Sequence, residues 1–159
     1  MPVEKSAGAV IFRKEKKSDG KEPENFYLVL HYSSTKKEGK SYWDFSKGHI
    51  EEGEGEAETI KREVEEETGI KNINFIEGFR ELIKYFFKFA DKTIFKTVVF
   101  YLGETEEEKV KISEEHIGYK WLPFDQAREQ LTFANAKEVL QRANNFLLKE
   151  TKNRQNLFL

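Results

Sequence analysis

The chain is 159 residues long with a formal net charge of −2, so no global basic field argues for stable binding of long nucleic acid. It has no cysteine, which excludes disulfides and thiolate metal sites and fits a reducing cytoplasm. No run approaches the roughly 18–20 apolar residues a membrane span needs, the first residues carry no apolar signal core, and the length suits one domain, 1–159, as a monomer or dimer.

Ser6 to Phe12 reads as a strand whose small residues allow close backbone packing. Lys14 to Asn25 is a charged loop holding Asp19-Gly20, and Phe26 to Leu30 is a second apolar strand, so the two form a hairpin with a long tip. Tyr32 to Ser41 is a polar, mobile connection, and Tyr42-Trp43-Asp44-Phe45 leads out of it. From Glu54 to Thr68 the chain lacks proline, is rich in helix formers and ends at Gly69, a natural stop. At about 100° per residue, Ala57, Ile60 and Val64 form one apolar stripe. Glu63, Glu66 and Glu67 form a second stripe beside it, while Glu58 and Glu65 point outwards.

In a chain with 35% charged residues, a glutamate cluster is by default a solvated face. Like charges at i, i+3 and i+4 nevertheless repel, and more so when partly buried, unless a cation sits against them. Oxygen ligands of this kind suit Mg²⁺ or Mn²⁺. Arg62 lies to one side, where its fork of donors can orient a carboxylate.

Beyond the helix, Ile73 to Phe79 is mixed and Phe79 to Phe89 is aromatic-rich. Ala90-Asp91-Lys92 is a turn, Ile94 to Leu102 a strand, and Glu104 to Glu108 an exposed acidic connection. Tyr119 to Leu122 is a short strand stopped by Pro123. Asp125 caps a short helix over Gln126 to Leu131, and Ala134 to Lys149 is a longer amphipathic helix. Strands interleaved with helices predict an α/β fold, a mixed β-sheet sandwiched between helices.

The stretch from Gly48 to Ile70 also fits G-x5-E-x7-R-E-U-x-E-E-x-G-U (U a bulky aliphatic) at Gly48, Glu54, Arg62, Glu63, Val64, Glu66, Glu67, Gly69 and Ile70. This resembles the Nudix box, the signature of enzymes that hydrolyse a nucleoside diphosphate linked to another moiety. The resemblance implies the Nudix fold, catalytic roles for Glu54, Arg62, Glu63 and Glu67, and a Mg²⁺ or Mn²⁺ site on Glu63, Glu66 and Glu67. The Lys47 backbone carbonyl is a further possible ligand.

Other segments look like the asymmetric diadenosine tetraphosphate hydrolases, which release ATP and AMP. They are Trp43 with Lys47-Gly48-His49, the run Glu77 to Leu82, the run Lys96 to Tyr101, and Ile112 to His116 followed by Tyr119 to Leu122. That resemblance makes Glu115, in S-x-E-H, a fourth metal carboxylate. Phe133 stands where that family also carries a Phe, and with Tyr85 and Phe87 it is a candidate to stack on adenine. Lys47 and Lys96 are the expected phosphate partners, His49 is a possible phosphate donor, and Trp43 either props the box or touches substrate. His31 and His116 read as structural. The chain departs from the family at Phe45-Ser46, where its animal members have a proline pair, at Glu52, where proline is usual, and around Tyr85 to Phe89, which is one residue out of register. The expected substrate is a dinucleoside polyphosphate. The alternatives are a nucleoside triphosphate, an RNA 5′ end, or a Nudix-fold sensor that binds nucleotide without hydrolysis.

Overall fold

The computed structural model describes residues 1–17, 19–33 and 40–157. Most of the predicted polar connection between Tyr32 and Ser41 lies outside these residues. Strand β1 (Val3–Glu15) is the axis of the fold. From Ser6 to Phe12 it is buried on both faces, which is why it reads as a nearly continuous run of small and apolar residues. One edge pairs in parallel with β7 (Lys92–Glu104). The other edge is divided between two antiparallel partners. Phe12 to Glu15 pair with β2 (Glu24–Tyr32), and Ser6 to Ala9 pair with β4 (Ser46–His49).

The rest of the sheet extends from these strands. Strand β3 (Tyr42–Asp44) and β8 (His116–Pro123) flank β2, while β5 (Asn74–Phe75) and β6 (Glu81–Phe89) flank β7. The Ala90 and Asp91 turn joins β6 to β7 with both residues at positive φ. Helix α1 (Glu56–Thr68) covers one face, against Ala7, Ala9, Ile11 and Val99. Helices α2 (Phe124–Gln130) and α3 (Ala134–Asn156) cover the other, against Val10, Phe12, Val98 and Phe100. The predicted mixed sheet between helices is present.

Several local expectations are corrected. Helix α1 starts at Glu56 rather than Glu54, because Glu54 folds back outside it to accept from Glu51 N and Thr59 Oγ1. Its buried stripe is Thr59, Ile60, Val64, Glu67 and Thr68, with Ala57 only half buried. Asp125 does not cap α2. The helix opens two residues earlier, at Phe124 behind Pro123, whose fixed φ makes the entry, and Asp125 sits in the first turn, where its charge suits the helix dipole. Helix α3 runs on to Asn156, and β8 begins at His116. Among the described residues no helix is long and apolar enough to cross a membrane.

Candidate active site

Strand β4 separates two environments, because successive residues of a strand face opposite sides of a sheet. The close approach of β4 to β1 depends on Gly8, where a Cβ would come within 2.7 Å of Ser46 O. On the α1 face, a Cβ on Gly48 would collide with the Glu63 carboxyl, so the missing side chain lets α1 lie directly on the strand. On the same face, Ser46 points at Glu67. Lys47, between them, faces the opposite side.

The acidic side is organised by Arg62. Its Nε and Nη2 grip Glu54 in a bidentate pair at 2.7 and 2.9 Å, and Nη1 donates to Glu63 Oε1 at 2.8 Å. Nη2 also donates to His49 O at 3.1 Å, tying the end of β4 and the following loop to the helix. Glu66 is exposed and takes only a long 3.4 Å contact from Nη1. Glu67 is buried among other donors: Ser46 Oγ at 3.1 Å and Lys47 N at 3.2 Å on Oε1, with Tyr32 OH at 3.0 Å on Oε2.

These surroundings drive two neighbouring carboxyls apart. The Arg62 fork, with help from Glu51 N, holds Glu54 down at about 2. Burial pushes Glu63 up to about 6, against the pull of Arg62 and with the added repulsion of Glu67 and Glu66. That repulsive field is what a cation would relieve, and all the donors are hard oxygens, so the residues fit a divalent metal of the Mg²⁺ type in their chemistry. Among the described residues, no three acidic or histidine side chains converge as a closed metal-binding group. Glu63 and Glu66 turn to Arg62, and Glu67 turns beneath β4.

The opposite side of β4 is a pocket of about 280 Å³ lined by Asp44, Lys47, Ile83, Tyr85, Phe100, Phe133, Asn135 and Ala136. Tyr85 enters it because Ile83, Tyr85 and Phe87 alternate along β6 towards the α3 side. Phe133, the residue before α3, stands 47% exposed at the rim, so it is not a core side chain. Lys47 Nζ lies 2.9 Å from the buried Asp44 carboxylate. Burial works against the Lys47 ammonium, but Asp44 outweighs it and the pKa stays above the ordinary value. Lys96 lies in β7 opposite Tyr85, and burial together with the Lys47 charge lowers its pKa.

Of the residues expected from sequence, Lys47, Tyr85 and Phe133 meet in the pocket, and Glu54, Arg62, Glu63 and the His49 carbonyl meet on the helix face. Phe87 packs beside Tyr85, with ring centroids 6.3 Å apart, but does not line the cavity. Trp43 stacks on His31 at 4.2 Å, also outside the lining. Glu115 is exposed, with its carbonyl accepting from Ser33 N at 3.1 Å. Asp44, Asn135, Tyr32 and Ser46 were not foreseen. The D-x-x-K spacing of Asp44 and Lys47 was the one sequence signal available for any of them.

The NUDIX domain family model matches residues 3–143. The asymmetrical bis(5′-nucleosyl)-tetraphosphatase of Mus musculus is 35% identical over 149 residues, covering 90% of this chain and 95% of its own. The Sus scrofa protein of the same name is 36% identical over the same coverage. Among solved structures, a C. elegans Ap4A hydrolase binary complex superposes with a TM-score of 0.73 at 27% identity, covering 92% of this chain and 98% of that one.

The raised Glu63 carboxyl predicts a pH-dependent stability effect. Its proton is held more tightly in the fold than in the unfolded chain, so the stability it contributes is complete below the ordinary carboxylate range and lost as pH rises through about 6. In the presence of chelator, Glu63→Gln should therefore melt higher than the parent at about pH 8, and the gap should close as pH falls towards about 4.5. Melting curves at the two pH values check this, and an identical gap at both would contradict it.

Proposed function

Because the chain belongs to the NUDIX domain family and is one of its pyrophosphohydrolases, we propose that it cleaves dinucleoside polyphosphates, diadenosine tetraphosphate foremost, into ATP and AMP. The observation that carries this reading is the pairing across β4. An aromatic-walled, lysine-bearing pocket lies on one side of the strand and the acidic helix face on the other, one residue apart. A base held between Tyr85 and Phe133 would run its phosphates past Lys47 and Lys96 towards Glu63. Asn135 offers a donor and an acceptor to a base edge. Retention of every box carboxylate speaks against a sensor that binds without hydrolysing.

In this reading Glu63, Glu66, Glu67, Glu115 and the Lys47 carbonyl hold a divalent cation, Mg²⁺ or Mn²⁺. Such a cation would neutralise charge on the phosphate chain and acidify a water. The chain's own groups do the rest. Glu63, which Arg62 holds beside the proposed cation, is the carboxylate proposed to accept the proton of the attacking water. Arg62 keeps Glu63 oriented and binds it to the Glu51–Glu54 loop. Lys47, held protonated by Asp44, and Lys96 meet the phosphate oxygens as point charges. His49, exposed at the end of β4, is a further phosphate donor, and Trp43 with His31 supports the strand pair beneath.

Chelation should abolish turnover and Mg²⁺ or Mn²⁺ should restore it. Chromatography of products from diadenosine tetraphosphate should give ATP and AMP, and in ¹⁸O-water the label should enter AMP alone. Two ADP molecules would refute the asymmetric cut. Preferential release of pyrophosphate from nucleoside triphosphates or RNA 5′ ends would move the substrate to that class.

Phe133→Ala tests the base site. Losing a stacking face worth about 1–3 kcal/mol should raise KM for diadenosine tetraphosphate about tenfold or more and leave kcat nearly unchanged. Because Phe133 is half exposed, its melting temperature should barely fall. A large fall in melting temperature with unchanged KM would remove it from the site.

A further inference from the structure

His116 is the first residue of β8, and its side chain is wholly buried. Its Nε2 lies 3.1 Å from Glu67 Oε2, and its Nδ1 lies 2.8 Å from Ser113 Oγ. The Nε2 contact has the distance of a pair but not the alignment of a full hydrogen bond, which leaves Nε2 a buried polar atom without a satisfied partner. The Glu67 carboxylate is the acceptor beside it.

The other donor on Glu67 Oε2 is already divided. Tyr32 has one hydroxyl proton and two acceptors, Phe45 O at 2.7 Å and Glu67 Oε2 at 3.0 Å, and the carbonyl is the nearer. Among the described residues, the donors on Oε1 are Ser46 Oγ and Lys47 N, both from β4. Among the described residues, the imidazole Nε2, 3.1 Å away, is the remaining group beside Oε2 that could give it an unshared proton. With that proton on Nε2, Nδ1 accepts from Ser113 Oγ–H, which fixes the ring's orientation and tautomer.

Ser113 is itself tied to the same helix. Its N–H donates to Glu67 O at 3.3 Å, and Lys111 N donates to Thr68 O at 2.8 Å, so the segment before β8 closes the free carbonyls at the end of α1. The Tyr32 ring packs edge-on against the imidazole, with centroids 4.3 Å apart, and keeps water from it.

We propose that His116 is a positioning residue for the reaction: with Ser113 it fixes the Glu67 carboxylate, and it couples that carboxylate to the segment that carries Glu115. This rests on Glu67 being a metal carboxylate, as read above. The role is that of an Nε2–H donor to Glu67, not of a metal ligand or a substrate contact.

The test is Mn²⁺ affinity, read from the electron paramagnetic resonance of the free ion in titrations without nucleotide, together with kcat and KM. Glu67→Gln calibrates the assay: unchanged Mn²⁺ affinity there would sink the parent reading of the metal site, whatever His116 does. If Glu67→Gln weakens binding, His116→Leu should weaken it by about 10–100-fold and lower kcat, with nucleotide KM little changed. His116→Gln, which keeps an N–H donor of similar reach, should recover most of the loss. The double variant should bind no worse than Glu67→Gln alone. Equal losses in His116→Leu and His116→Gln, or no loss in either, would overturn the proposal. Should His116→Leu prove too unstable to assay, Tyr32→Phe decides. The proposal requires it to cost far less Mn²⁺ affinity than Glu67→Gln, and an equal cost would make Tyr32 the residue that holds Oε2.

Discussion

The carboxylate of Glu67 is buried, and a buried carboxylate is tolerated only when donors surround it. Those donors come from different parts of the chain: Tyr32 at the end of β2, Ser46 and the Lys47 amide in β4, with His116 of β8 in contact. One charge on α1 thus brings together strands that are not all neighbours in the sheet. Removing a donor from such a buried group costs about 1–3 kcal/mol, so these contacts fix where α1 lies relative to β4. Everything proposed for the site depends on that seam. Glu63 reaches the strand because Gly48 leaves room for it, and Arg62 reaches both the strand end and the loop because the helix lies so close.

The same seam divides the labour of β4. Its α1 side collects negative charge, and the other side presents Lys47 beside aromatic walls. Two opposite electrostatic environments are kept apart by the thickness of one strand, at a point where the strand contains a glycine. The pairing of Asp44 with Lys47 keeps the lysine charged despite its burial. For the polyanion proposed as substrate, that arrangement would offer aromatic faces, a cationic contact and an acidic face in order. It also explains why Glu54 and Glu63, both bonded to one guanidinium, differ so widely in proton affinity. Glu54 has the bidentate fork and Glu51 N, whereas Glu63 is desolvated against the strand and faces two further carboxylates.

Much of this was legible in the chain because it depends on local periodicity. Helical spacing separated the exposed Glu58 and Glu65 from the stripe of Glu63, Glu66 and Glu67, of which Glu63 and Glu67 lie against the sheet while Glu66 is exposed as well. Tyr85 was a candidate through the family resemblance, and the alternation along β6 that puts it on the pocket side is a finding of the structure. The short strands β3 and β4 were not legible, since Trp43 to His49 has no period and pairs with residues far away in sequence. Position alone could not reveal that Glu54 would stay outside the helix, because the cause is a tertiary contact with Arg62 and Thr59. His116 read as a structural histidine. Its contact with Glu67 joins β8 to α1 and leaves no mark on local sequence. Asp125 has the chemistry of a cap, but Pro123 opened the helix first.

The proposed function places a divalent cation in the α1–β4 seam, facing a base pocket across one strand. Crystals soaked in Mn²⁺ and a non-hydrolysable dinucleoside polyphosphate, with anomalous scattering recorded for the metal, test it most directly. A Mn²⁺ peak is expected within coordination distance of Glu63, Glu66 or Glu67 oxygens, with a base between Tyr85 and Phe133. A peak remote from these carboxylates, or a base bound outside the pocket, would contradict it.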